Sequence, residues 1–239
     1  MIRKLAVFTL LAFVLTSCGN DFEKSPLDNL IRDLSDVPAY SIILHDMNVE
    51  GTVFEDYYHQ YEIIEIKKGE APEKRLTDWV QVPEALFSKH IDDMGMELVS
   101  KSEDGKLTKT AAPPGYNNFV GNEQYGQWVE RNGTSFWEFY GQYMFLNSMF
   151  NLATYPVRRS YYDTYRTDYW GRKPYYGSTG SGGRIFGTGG SYTRQVYSGS
   201  SWNRQSSSFK DKVRNSVSRS GTRYNGSSST RSRGGGFGK

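Results

Sequence analysis

Three histidines, His45, His59 and His90, are the first residues to weigh, because imidazole serves both as metal ligand and as general base near neutral pH. If residues 51–53 form a three-residue loop between two strands, residue 50 pairs with residue 54. His45 then falls opposite His59, close enough to share a metal ion. No HExxH sequence, no cysteine besides Cys18 and no fixed third ligand accompany the pair, so no metal and no cofactor are assigned. The acidic pairs Glu55-Asp56 and Asp92-Asp93 read as solvated surface, since neighbours on a strand point to opposite faces instead of meeting across a cleft. Glycines around Gly182 and Gly187 lack the preceding strand, following helix and GK[ST] ending of a phosphate-binding loop. No catalytic residue is assigned, and the chain is read as non-enzymatic.

The remaining chemistry is that of binding. Arg158, Arg159, Arg166, Arg172, Lys173, Arg184, Arg194 and Arg204 alternate with Tyr, Trp and Phe. In a cytoplasmic protein that mixture suggests single-stranded nucleic acid, with arginine on phosphate and aromatic rings on bases. A second set, Trp128, Trp137, Tyr140 and Tyr143 within residues 116–143, could supply a stacking face for a sugar.

Charge divides the chain sharply. Residues 21–112 hold 20 Asp and Glu against 10 Lys and Arg, whereas residues 156–239 hold 16 Lys and Arg against 3 Asp. The segments carry −10 and +13, although the whole chain carries only +3. Such asymmetry predicts an acidic folded part and a basic interaction tail, which could equally fold back on that acidic part. Beyond residue 155 the chain is rich in Gly, Ser, Arg and Tyr and nearly free of Leu, Ile and Val. That composition predicts disorder, because ordering each backbone residue costs ~1–2 kcal/mol that little apolar burial offsets.

The elements expected to carry these residues form a small α+β domain over residues 26–112. Leu27, Leu30, Ile31 and Leu34 recur at helical spacing after Ser25-Pro26. Residues 40–49 and 53–66 read as a hairpin, residues 83–93 as a second helix, and residues 96–101 and 106–111 as a second hairpin turning at Asp104-Gly105. The order is helix, hairpin, helix, hairpin. Residues 113–155 follow as an aromatic segment packed on the domain. There Asn132-Gly133 turns a strand into an aromatic helix that starts at the capping box Ser135/Glu138. In the competing reading the same turn makes a hairpin of residues 127–131 and 134–138. Residues 156–239 complete the chain as the basic, low-complexity tail.

The first residues supply an address. Arg3 and Lys4 precede an apolar run over residues 5–15, too short for a spanning helix of ~20 residues. The following Leu15-Thr16-Ser17-Cys18-Gly19 resembles the lipobox of bacterial lipoproteins. The resemblance implies a signal peptide over residues 1–17, removed by cleavage before Cys18, and acyl chains such as palmitate on Cys18. It also implies a lipidated tether over residues 18–25 that anchors the chain without spanning. In a Gram-negative cell Gly19 favours the outer membrane, and the mature part is similar only to uncharacterised envelope lipoproteins.

Together these readings give a membrane-anchored, non-enzymatic lipoprotein of the bacterial cell envelope. Its basic residues would contact anionic lipid, lipopolysaccharide or another envelope protein, and the export signal removes intracellular nucleic acid as a partner. The alternative is an enzyme or carbohydrate-binding module using residues 116–143.

Overall fold

The computed structural model describes residues 25–51, 55–67, 72–178 and 181–225, with side chains as far as 218. Strands β1 (Ala39–Glu50) and β2 (Asp56–Ile66) form a long antiparallel hairpin, paired from Ala39↔Ile66 to Glu50↔Asp56. Two short strands share the far edge of β2: β3 (Glu73–Leu76) lies on residues 62–65 and β4 (Val80–Val82) on residues 57–59. On the other side β5 (Glu97–Lys101) pairs with β1, and β6 (Leu107–Thr108) with β5. The result is a six-stranded antiparallel sheet in the order β3-β2-β1-β5-β6, with β4 beside β2.

Alternation along the central strands sends side chains to two separate cores. Ile42 and Leu44 of β1 and Ile63 of β2 join one cluster with Leu27, Phe87 and Met94, while Ile43 and Ile64 join a second with Tyr116, Phe119 and Phe150. A sheet buried on both sides needs cover on both. The first face receives α1 (Pro26–Asp33), begun by a proline whose missing N–H costs nothing there, and α2 (Glu84–His90). The second face receives the aromatic chain after residue 112. Between Leu44 and Asp46 the pairing with β2 shifts by one residue, leaving His45 as a bulge. The extra residue re-phases the strand, so that Met47 and Val49 return to the face of Ile42 and Leu44.

Three expectations are corrected. The helix-hairpin-helix-hairpin domain is replaced by one six-stranded antiparallel sheet with a few short helices. The strands of both expected hairpins join that sheet, and β3 and β4 are additional. No long aromatic helix follows Asn132-Gly133. Instead β7 (Gly126–Arg131) and β8 (Thr134–Phe139) form a two-stranded hairpin, succeeded by a 3-10 turn and the five-residue α3 (Phe145–Met149). Asn132 (φ 51°) and Gly133 (φ 73°) both adopt the left-handed conformation of the tight turn, and this local geometry prevails over the capping-box signal.

The third correction concerns the expected tail of residues 156–239: its described residues, 156–178 and 181–225, fold, and the others lie outside the described residues. Helix α4 (Arg159–Thr164) runs into a π-helical turn (Tyr165–Tyr169); α5 (Ser191–Val196), α6 (Ser201–Arg204) and α7 (Ser207–Asn225) follow. Tyr165 and Tyr175 are buried in the second core, and Phe186, Tyr192, Trp202, Val213 and Val217 in the first. Large aromatic rings bury ~150–250 Å² each, so a few of them offset the ordering of a segment poor in Leu, Ile and Val. The acidic part also receives this segment electrostatically. Asp46 accepts the backbone amides of Ser201 (2.5 Å) and Trp202 (3.1 Å), Arg214 reaches Asp92 at 2.7 Å, and Tyr176 donates to Asp93 at 2.7 Å.

Candidate functional site: a polar cleft beside cation-covered aromatic rings

The turn after β5 is closed by Asp104, whose carboxylate accepts from the Ser102 hydroxyl (2.5 Å) and the Lys106 amide (3.1 Å). It presents Lys106 to the π-helical turn that follows α4. Between them lies a polar cleft of about 510 Å³, lined among others by Lys106, Asn117, Asn118, Gly121, Arg166 and Trp170. Lys106 Nζ sits 3.9 Å and the Arg166 guanidinium 3.8 Å from the centroid of the Trp170 ring. Both cations are therefore seated on the same indole ring. The indole Nε1 of Trp170 and the amide Nδ2 of Asn118 are buried without a hydrogen-bond partner.

Beneath the cleft is a wholly buried carboxylate. Glu97 accepts from Ser41 Oγ (2.6 Å) and the Gly115 amide (3.2 Å) on one oxygen and from Asn117 Nδ2 (2.7 Å) on the other. Asn117 Oδ1 in turn accepts from Tyr165 Oη at 2.5 Å. Burial pushes the Glu97 carboxyl above the ordinary carboxylate range, and the hydrogen bonds oppose that rise. Tyr165 is also pushed up, first by burial and then by the nearby Glu97. The network fixes β1, β5, the 115–117 turn and the π-helical turn to one point, and thereby fixes the lining of the cleft.

Cations cover aromatic rings across the neighbouring surface. Arg159 lies over Trp128 (5.8 Å), Arg158 over Phe136 (6.0 Å) and Tyr161 (5.8 Å), and Lys173 over Tyr169 (4.4 Å). Together with Lys106 and Arg166 over Trp170, each of these contacts involves a residue of the 158–173 segment. The other basic candidates are elsewhere: Arg184 lies over Tyr176 and 3.6 Å from Asp92, while Arg172, Arg194 and Arg204 are exposed.

The proposed aromatic face is divided. Trp128 and Trp137 are a directly opposed cross-strand pair with centroids 5.2 Å apart, but Trp137 is buried while Tyr140 is exposed. Tyr143 instead packs edge-on against Tyr125. These four rings therefore offer no flat stacking surface.

The histidines are also separated. Glu50 pairs with Asp56, so Met47 and not His45 stands opposite His59; the loop is longer than the expected three residues, and the bulge shifts the frame further. His45 is 3.7 Å from Glu62, His59 meets Tyr61 Oη at 2.9 Å, and His90 meets Asp93 at 2.8 Å. Burial, then the nearby His90, lowers His59 to about 3. Glu55 accepts from Tyr57 Oη, and Asp93 is buried, so neither acidic pair is purely surface. Among the described residues no group of three His, Cys, Asp or Glu is placed to hold a metal ion. Cys18 and the rest of the lipobox lie outside the described residues.

Sequence reasoning missed Lys106, Asn117, Asn118 and Glu97. For Glu97 a signal existed: a lone acid inside Met96-Glu97-Leu98-Val99 has no solvated strand face to occupy. For the asparagines there was none, because their roles come from segments distant in sequence. Comparison with family models, with curated proteins and with solved structures gave no match.

Proposed function

We propose that this chain is an envelope lipoprotein, acylated at Cys18, which acts without catalysis by holding an anionic lipid or lipopolysaccharide against the cation-covered face of residues 158–173. The anchor rests on the sequence Leu15-Thr16-Ser17-Cys18; among the described residues no helix is long and apolar enough to cross a membrane. In a Gram-negative cell the outer membrane is its place. The observation that carries the binding half is the seating of Lys106, Arg158, Arg159, Arg166 and Lys173 over aromatic rings. A cation–ring contact is worth ~0.5–1 kcal/mol at an exposed site. It holds the side chain in place, so less freedom is lost when a phosphate arrives.

Basic residues near an anionic membrane contribute ~1 kcal/mol each, an attraction screened within about 10 Å at 0.1 M salt. The test is sedimentation of the soluble chain beginning at Gly19 with anionic and with neutral vesicles, at low and high salt. Retention on anionic vesicles that is lost in salt, and lost in an Arg158→Gln/Arg159→Gln/Arg166→Gln variant, is the expected outcome. Equal retention of that variant would locate binding elsewhere.

A further inference from the structure

We propose that the cleft between the 102–106 turn and the π-helical turn is a binding site for a phosphorylated sugar, its phosphate held by Lys106 and Arg166; this rests on the anionic-ligand reading above. Lys106, Arg166, Trp170 and Asn118 all line the cleft and each carries a donor, and the two cations are seated on the Trp170 ring. The Trp170 indole N–H and the Asn118 Nδ2 are buried without a partner, so an acceptor reaches them only when those side chains shift. On the side of the cleft where Lys106 and Arg166 sit, their charges call for an acceptor-rich, anionic group. Phosphate suits it best, because it presents several charge-assisted acceptors to arginine and lysine together.

The same cleft carries the opposite chemistry at its other lining residues. Asp104, Glu123 and Asn122 contribute side-chain oxygens, which accept from hydroxyl groups. A bare phosphate leaves them unused, whereas a phosphate ester on a polyhydroxylated ring engages both sides. At about 510 Å³ the cleft lies within the range of sites that enclose small ligands. Its shape is set from below by the Glu97–Asn117–Tyr165 network, so Asn117 is in place before a ligand arrives. A sugar phosphate reaches an envelope protein either as the phosphorylated headgroup of a glycolipid or as a free sugar phosphate, and the chemistry at the cleft is the same.

The experiment is isothermal titration calorimetry of the full chain in a nonionic detergent without a sugar head. The probes are glucose 1-phosphate, glucose, inorganic phosphate, and monophosphoryl lipid A in mixed micelles. Glucose 1-phosphate is expected to bind more tightly than inorganic phosphate, and glucose not to bind. Arg166→Gln and Lys106→Gln are each expected to weaken binding ~10-fold, as is Asn118→Asp, which puts a carboxylate among the donors. Arg194→Gln, exposed and outside both the cleft and residues 158–173, should leave it unchanged. Tighter binding of the lipid form assigns the headgroup, and equal binding assigns the free ester. Glucose binding as well as its phosphate, or an unchanged Arg166→Gln variant, overturns the proposal. Retention of the soluble chain on anionic vesicles with no titration by either phosphate ester overturns this inference alone; loss of both overturns the broader reading.

Discussion

Glu97 holds a carboxylate where no water reaches, and its value to the fold depends on pH in a definite direction. Because burial raises its pKa, the folded chain binds that proton more tightly than the unfolded chain. Its contribution is therefore full below the ordinary glutamate value of ~4.3 and is lost as pH rises through the folded value. Glu97→Gln keeps the shape but is neutral throughout. The margin of the natural protein over this variant should shrink between acid and neutral pH in urea unfolding; a margin that widens would contradict the assignment. His59 runs the other way. Its imidazole is held neutral down to about 3, so its stabilisation is present above the free-histidine value of ~6.5 and lost as pH falls below it. The limiting slope is ~1.4 kcal/mol per pH unit. His59→Phe should remove that slope between pH 6 and about 3, at the expense of the contact with Tyr61; an unchanged slope assigns it to other groups.

At the scale of elements, Gly121 ties the 115–122 turns to α4. It adopts φ +74°, and a Cβ placed there would stand 2.4 Å from the ring of Tyr162. Left-handed backbone costs a non-glycine residue ~1–3 kcal/mol. Gly121→Ala therefore should lower stability by at least ~1 kcal/mol in chemical denaturation, and by more if Tyr162 cannot yield. Tyr162 and Gly121 both line the polar cleft, so the same variant should weaken glucose 1-phosphate binding. An alanine variant as stable as the natural chain would show that α4 is held by its other contacts. The β7–β8 hairpin gives the complementary case, since its turn is exposed and nothing lies within 4 Å of a Cβ at Gly133.

For the whole molecule the decisive feature is that the basic C-terminal region is structural. Trp202 is buried against Phe87 and Phe209, and Val213 and Val217 of α7 are buried in the same core. Trp202→Ala should cost ~3–5 kcal/mol, as for other large buried aromatic rings. Ending the chain at Tyr155 strips both cores and should abolish the near-ultraviolet circular dichroism and the cooperative thermal transition. A chain ending there that melted like the full protein would return residues 156–225 to the status of an appendage. Charge acts at this scale as well. Asp92 receives both Arg184 (3.6 Å) and Arg214 (2.7 Å), and Lys212 lies 3.6 Å from Glu55, so part of the acid–base asymmetry is neutralised inside the molecule.

What the sequence determined by itself was local. The hairpin of residues 40–66 and the Asn-Gly and Asp-Gly turns depend on neighbours a few positions apart, where sterics act directly. Tertiary structure alone decided three things: that both hairpins share one sheet, that an aromatic but Leu-poor segment covers it, and that Lys106, Asn117 and Arg166 meet around one cleft. Each of these is a long-range pairing between residues tens of positions apart. Average composition underestimated the C-terminal region because a few aromatic rings, placed where a naked sheet face awaits them, supply burial that the segment could not provide for itself.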